Sequence, residues 1–196
     1  VSAGDTENLT DISDYQADLE EGPYFYEGKA VEPEVLDVYP KEESEDDTGE
    51  VTYDVAYENN EKPGTATVVI TGNGKFTGVI RKEFTIEKGI QDIELEDITL
   101  TVEEETKIDL SGLIGTVTVT ASEEGYVEIS EDADKEGTYV IRTLKNGKVT
   151  LHIQATGDEY YDSFDLDIEI FILKADHHHT YLQQDENGNY TVYDSS

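Results

Sequence analysis

The sequence predicts an all-β protein made of two modules of similar size and a short tail. Three observations point there. The strand formers Val, Ile, Thr and Tyr recur along the whole chain, and no window repeats its apolar residues with a long helical period. Short runs alternate apolar and polar side chains and stop at Gly, Pro, Asn or Asp. A length of 196 residues with 36% hydrophobic content is enough for one large domain or two small ones, at roughly 100 residues per domain.

Residues 1–10 read as an N-terminal extension and 11–87 as the first module. That module opens with a strand over Ser13–Leu19 and a turn at Glu21-Gly22-Pro23. Tyr24-Phe25-Tyr26 is the densest aromatic cluster; its alternate members face opposite sides, so at least one faces the core. Pro33 cannot donate to a ladder, which confines its strand to an edge or a bulge. Lys41–Glu50 is an acidic, polar loop.

The most informative stretch runs from Tyr53 to Ile86: YDVAYENNEKPGTATVVITGNGKFTGVIRKEFTI. It reads as three strands and two turns. Tyr53, Val55 and Tyr57 share one face of the first strand. Ala66, Val68 and Ile70 face inward on the second, and Ile80, Phe84 and Ile86 line the third. Asn59–Gly64 and Gly72-Asn73-Gly74 supply the turns.

The second module spans 88–174, joined to the first through Glu87-Lys88-Gly89, a short joint that implies an end-to-end pair with limited bending. Ile98, Leu100 and Val102 alternate, as do Val117, Val119 and Ala121. Leu166, Ile168, Ile170 and Ile172 alternate strictly with Asp165, Asp167 and Glu169. A hairpin with a three-residue Lys145-Asn146-Gly147 loop keeps one apolar face intact. It pairs Thr143 with Val149, Ile141 with Leu151 and Tyr139 with Ile153, with Gly147 at positive φ. In the tail, 175–196, two strand-like runs flank Asp185–Asn189, a hairpin signal. Three fates are open to the tail: the start of a further module, packing on the second module, or a floppy end.

The words YENN, GTATVVITG, GKFTG and EFTI closely resemble an immunoglobulin-like repeat found in tandem on Gram-positive bacterial surface proteins. The run Tyr24-Phe25-Tyr26-Glu27-Gly28-Lys29 up to Pro33 resembles the same repeat, in which the loop corresponding to Lys41–Glu50 is usually shorter. GKVTLHIQATGDEYYDSFDLDIEIFIL resembles the closing strands of a second bacterial immunoglobulin-like type, with Tyr160 or Tyr161 as its corner aromatic. The resemblance implies two tandem immunoglobulin-like β-sandwich domains of antiparallel sheets, and an extracellular place on the surface or wall of a Gram-positive bacterium. Some sandwiches of this kind carry a self-made Lys–Asn amide crosslink. Lys29 or Lys82 with Asn59 or Asn60 are the matching candidates, and Lys82 shares the parity of Ile80 and Phe84.

Composition narrows the function. With 47 Asp+Glu against 13 Lys+Arg, the formal net charge is −34. Residues 1–88 hold 22 acids and 7 bases and residues 89–174 hold 21 and 6, so each of these two stretches carries −15 and the charge is spread along the chain. Such a field repels phosphate backbones and anionic lipid, which argues against nucleic-acid partners, and it favours solubility and a monomer. There is no Cys, which removes disulfides, thiolate metal sites and cysteine nucleophiles, and no Met, which points to a processed or excised segment. No apolar run approaches the roughly 18 residues of a membrane span.

Each candidate site also has a plainer role. Tyr24, Tyr26, Tyr160 and Tyr161 are candidates for stacking on sugar rings. Asp158, Glu159 and Asp162, and separately Asp132 and Asp134, carry oxygens suited to calcium, while acidic loops with such loose spacing are usually only solvated. His177, His178 and His179, with His152 elsewhere, are imidazole candidates for a transition metal, but His152 falls on the outward face of its strand, and three adjacent residues of an extended segment point alternately to opposite sides and cannot all reach one ion without a bend. Asp185–Asn189 fails the calcium-loop pattern and fits a hairpin turn better. No Gly-x-Ser-x-Gly, phosphate loop or His-Glu-x-x-His is present, and no cleft motif arranges the many carboxylates for glycoside hydrolysis. The expectation is a noncatalytic spacer or adhesion module, without a required cofactor and partnered by other domains of the same protein. The alternatives are a module binding glycan or host protein, and an accessory domain of a surface hydrolase.

Overall fold

The computed structural model describes residues 8–42, 49–176 and 179–195, and contains strands and turns with no helix among them. The chain forms two compact units. The first comprises the residues up to Gln91 together with Thr156–Ser163; the second comprises Asp92–Ala155 and the residues from Phe164 onward. The loop between two long strands of the second unit is therefore counted with the first.

In the first unit β1 (Thr10–Asp11), β2 (Gln16–Leu19), β3 (Tyr24–Phe25) and β4 (Val35–Tyr39) precede β5 (Tyr53–Glu58), β6 (Gly64–Gly72), β7 (Phe76–Thr77) and β8 (Val79–Glu87). A four-stranded sheet has the order β3-β8-β6-β5. The three expected strands lie here, with Val55 opposite Ile70 and Ile70 opposite Ile80. Ala66, Val68 and Ile70 are fully buried, and Ile80, Phe84 and Ile86 are buried beside them. Ala17 from β2 and Val38 from β4, a separate antiparallel pair, close the same core with Ile12 and Phe76. Val55 points the expected way but is 39% exposed, because β5 is the edge strand.

The second unit contains β9 (Ile98–Thr101), β10 (Glu105–Asp109), β11 (Val117–Ala121), β12 (Val127–Glu131), β13 (Thr138–Thr143), β14 (Gly147–Ala155) and β15 (Phe164–Leu173). They make a four-stranded sheet, β11-β14-β15-β9, and a three-stranded sheet, β10-β13-β12. Ile108 and Ile141 from the smaller sheet share one buried cluster with Val149, Leu151, Ile153, Ile168, Ile170 and Ile172 from the larger. A final hairpin pairs β16 (His179–Gln184) with β17 (Tyr190–Ser195) around Asp185, whose Oδ1 accepts the amides of Asn187 and Asn189.

Two sequence expectations are corrected. The sheets are mixed, not purely antiparallel: β3 runs parallel to β8, β1 to β7, and β9 to β15. Alternation alone carries no strand direction, and a parallel pair requires only a long intervening crossover, which each of the β3–β8, β1–β7 and β9–β15 connections supplies. Nor do β13 and β14 form a hairpin. β13 pairs with β10 and β12, and β14 with β11 and β15. Ile141 and Leu151 line the same core from different sheets, so the pattern that suggested a paired register is equally satisfied by a chain that crosses between sheets. Gly147 does have positive φ, at 142°.

Thr143 is the polar centre of the second unit and is fully buried. Its hydroxyl lies 2.6 Å from the Thr101 carbonyl and takes the Glu104 amide at 3.1 Å. Its own amide donates to Glu104 O, and its carbonyl accepts Glu103 N. Thr143→Val keeps the shape but removes the hydroxyl, which leaves Glu104 N and Thr101 O only their longer 3.2 Å bond to each other at the edge of the core. The expected loss is about 2 kcal/mol of unfolding free energy, measured by denaturant titration.

Carboxylates on this unit imply a peaked pH profile. Lys135, 2.5 Å away, and the Ser111 hydroxyl and amide hold Asp109 well below its ordinary value of 3.8. Lys107 and the Asp134 amide do the same for Asp132. A depressed folded value means stabilisation that is complete above the ordinary value and is lost as pH falls through the folded one. The net charge of −34 acts oppositely, because protonating other carboxylates relieves repulsion. The melting temperature is expected to rise from neutral pH towards about pH 5 and to fall below about pH 4.

Candidate functional site

Loop 156–163 is shaped by its own polar atoms. One carboxylate oxygen of Asp158 accepts the amides of Tyr160 at 2.7 Å and Tyr161 at 2.8 Å, the short side-chain-to-backbone bond that favours Asp in turns. The Asp158 amide closes back on Tyr161 O at 3.0 Å. Gly157 has φ of 69°, and a Cβ there would lie 2.4 Å from Tyr161 O and 2.6 Å from Asp162 O. Only glycine fits that bend.

The loop is fastened to residues 88–91 by a short parallel bridge between Gly89 and Tyr161. Gly89 N donates to Tyr160 O at 2.8 Å and Asp162 N donates to Gly89 O at 2.9 Å. The Lys88 ammonium reaches Asp158 O at 2.7 Å, and the Gln91 amide reaches Asp162 O at 2.6 Å. A Cβ on Gly89 would meet Tyr26 O at 2.6 Å, so this glycine is set by the closeness of the neighbouring chain.

These bonds bring three half-buried tyrosines together. Tyr26 lies 5.2 Å from Tyr160, tilted by 40°, and 5.5 Å from Tyr161 in an edge arrangement at 71°. Partial burial, then Tyr161, Tyr160 and Asp158 nearby, raise the Tyr26 phenol above its ordinary value, so it keeps its proton and can donate at neutral pH. Beside this cluster is a groove of about 530 Å³, continued by Tyr57 and the Asn59–Lys62 turn. Tyr57 O–H donates to Pro33 O at 2.6 Å, which fixes its ring. Asn60 is buried; its side-chain amide donates to Val31 O at 3.1 Å, and its carbonyl accepts Val31 N at 2.9 Å. Asn59 takes φ of 56°, a conformation that asparagine tolerates better than most residues.

Of the residues singled out in the sequence, the structure therefore gathers Tyr26, Tyr160 and Tyr161, with Asn59 and Asn60 across the groove. Tyr24 lies apart: its ring meets Phe84 edge-on at 5.5 Å, and its hydroxyl donates to Glu20 O. Lys82 points along the inward parity of β8, but its ammonium donates to Ala17 O at 2.5 Å, while Asn60 is held by Val31. Lys29 lines a separate groove with Tyr24 and Phe25. Asp158 and Asp162 share one loop with the exposed Glu159. Asp158 turns a carboxylate oxygen to loop amides, and Asp162 accepts Ser163 N. Asp132 accepts Lys107 and the Asp134 amide. Among the described residues no three His, Cys, Asp or Glu side chains gather as for a metal ion. His177 lies outside the described residues, and His179 opens β16. His152 faces outward as expected and pairs with Asp167 across the strands at 2.5 Å.

Sequence reasoning missed Tyr57, Glu61 and Lys62 as groove residues, and Gly89 and Gly157 as the glycines that let the tyrosines meet. Parity places Tyr57 on one face with Tyr53 and Val55 and says nothing of a groove. Its position just before the Asn59–Gly64 turn was the available signal that its ring edge reaches the surface.

No family model matches the sequence, and comparison with curated proteins finds no match. Among solved structures, the chain is similar to domains 4 and 5 of the S-layer protein SbsC, at 14% identity and a TM-score of 0.34, over 69% of this chain and 89% of that one.

Proposed function

We propose that this chain is a noncatalytic spacer module of a secreted or wall-attached bacterial surface protein, built from two immunoglobulin-like sandwiches. The observation that carries this reading is the parallel pairing of early and late strands. In the second unit β9, its first strand, runs beside β15 along Ile98–Thr101 and Ile170–Leu173. In the first, β3 runs beside β8, and the line is extended by Tyr26 N donating to Glu87 O. Tension applied along the chain pulls such a pair in opposite directions. It then loads the hydrogen bonds together, in shear, instead of opening them one after another. A module that holds another domain away from a cell needs that resistance. The repeat-like words in Tyr53–Ile86 favour the same reading, and the charge of −34 keeps neighbouring copies apart.

The test is display. With the chain inserted between a wall anchor and a small reporter domain, a large antibody should reach the reporter, and a short flexible linker in its place should reduce access. Equal access with either insert would remove the spacer reading.

A further inference from the structure

We propose that the groove between the Tyr26–Tyr160 pair and the Asn59–Lys62 turn of the first unit binds a neutral oligosaccharide, a role the spacer reading does not require. The groove's volume of about 530 Å³ falls within the range of small-ligand sites and suits one or two sugar rings. Tyr26 and Tyr160 both line the groove, with ring centroids 5.2 Å apart and planes inclined at 40°. The apolar C–H face of a pyranose packs on such rings, and the phenol hydroxyls remain at the edge for its oxygens.

The opposite wall supplies the other half of sugar recognition. Asn59, Glu61 and Lys62 are exposed. Between them they offer an amide that donates and accepts, a carboxylate that accepts and an ammonium that donates. None of these side chains is held by another described residue. Each wall is also fixed before any ligand arrives. Asn60 ties the turn to Val31 in both directions, Tyr57 is pinned to Pro33, and the Asp158 loop holds Tyr160 against Tyr26. A prearranged site avoids the entropy of ordering loops on binding.

Charge selects among sugars. Glu61 and Lys62 cancel locally, while a chain at −34 repels sulfated and uronic-acid polymers, leaving neutral glycans.

The full chain should be titrated with neutral chito-, cello- and manno-oligosaccharides, with a sulfated oligosaccharide and a proline-rich peptide as comparisons, following backbone amide signals. At least one neutral probe is expected to shift the amides of Asn59–Lys62. Asn59→Gly, which keeps the positive φ, and Glu61→Gln with Lys62→Gln should each weaken binding roughly tenfold, about what one or two lost hydrogen bonds are worth. Their melting temperatures should match the parent, which separates lost recognition from lost folding. The proposal is overturned if no neutral probe binds at millimolar concentration, if binding survives the turn variants, or if the sulfated probe or the peptide binds better. None of these results bears on the spacer role, whose test is accessibility on a cell.

Discussion

Gly157→Ala is expected to destabilise the first unit by about 3 kcal/mol, through strain in a positive-φ residue together with a clash against backbone. The added methyl would sit 2.4 Å from Tyr161 O, and a carbonyl fixed in a turn cannot swing aside as a flexible side chain could. Relief requires the loop to lift, which breaks the Asp158 bonds to Tyr160 and Tyr161 and separates both rings from Tyr26. Because the chain has 13 Tyr and no Trp, tyrosine fluorescence reports the change directly. Denaturant unfolding gives the free energy. Gly112→Ala is the control: a Cβ there meets nothing within 4 Å, so its effect should stay within about 0.5 kcal/mol. A Gly157 variant as stable as the control would mean that the loop is not held as described.

The second large effect is expected in the other unit. Leu151 is fully buried in the middle of β14, between Val149 and Ile153 and opposite Ile168. Leu151→Ala removes its side chain from a packed cluster and should cost between about 2 and 5 kcal/mol, depending on how far the cavity collapses. Ile70→Ala is the matching change in the first core, also from a fully buried position. Each unit has its own buried cluster. Hydrogen exchange should therefore show protection lost mainly around Leu151 in one variant and around Ile70 in the other. An equal loss throughout the chain in both variants would contradict separate cores.

The inward rows of both units were legible in the sequence. Ala66, Val68 and Ile70, and likewise Ile168, Ile170 and Ile172, are buried as their alternation requires. The terminal hairpin was legible too, because Asp185–Asn189 combines turn formers with flanking strand residues. Strand direction was not legible. A period of two says which face a residue occupies but nothing about which strand lies beside it. Thr143 and Val149 were therefore given to one hairpin when they belong to different sheets. The tyrosine cluster was half legible. A corner role for Tyr160 or Tyr161 was implied only by the resemblance of this stretch to a known repeat type, and the meeting of both with Tyr26 depends on contacts more than a hundred residues apart in sequence, which no local pattern encodes.

Pulling single molecules from their two ends tests the spacer reading most directly. After the terminal hairpin opens, the chain is expected to yield in discrete steps as the parallel pairs shear. Val102 N donates to Leu173 O at 3.0 Å beside the β9–β15 ladder, and Val102 stands at the second position of a turn whose third residue, Glu103, has φ of 69°. Proline suits that position and lacks the N–H. Val102→Pro should thus lower the unfolding force of the second unit while changing its melting temperature little. A smooth, low-force extension of the parent chain, or an unfolding force unchanged in Val102→Pro, would contradict a spacer that carries tension through its paired outer strands.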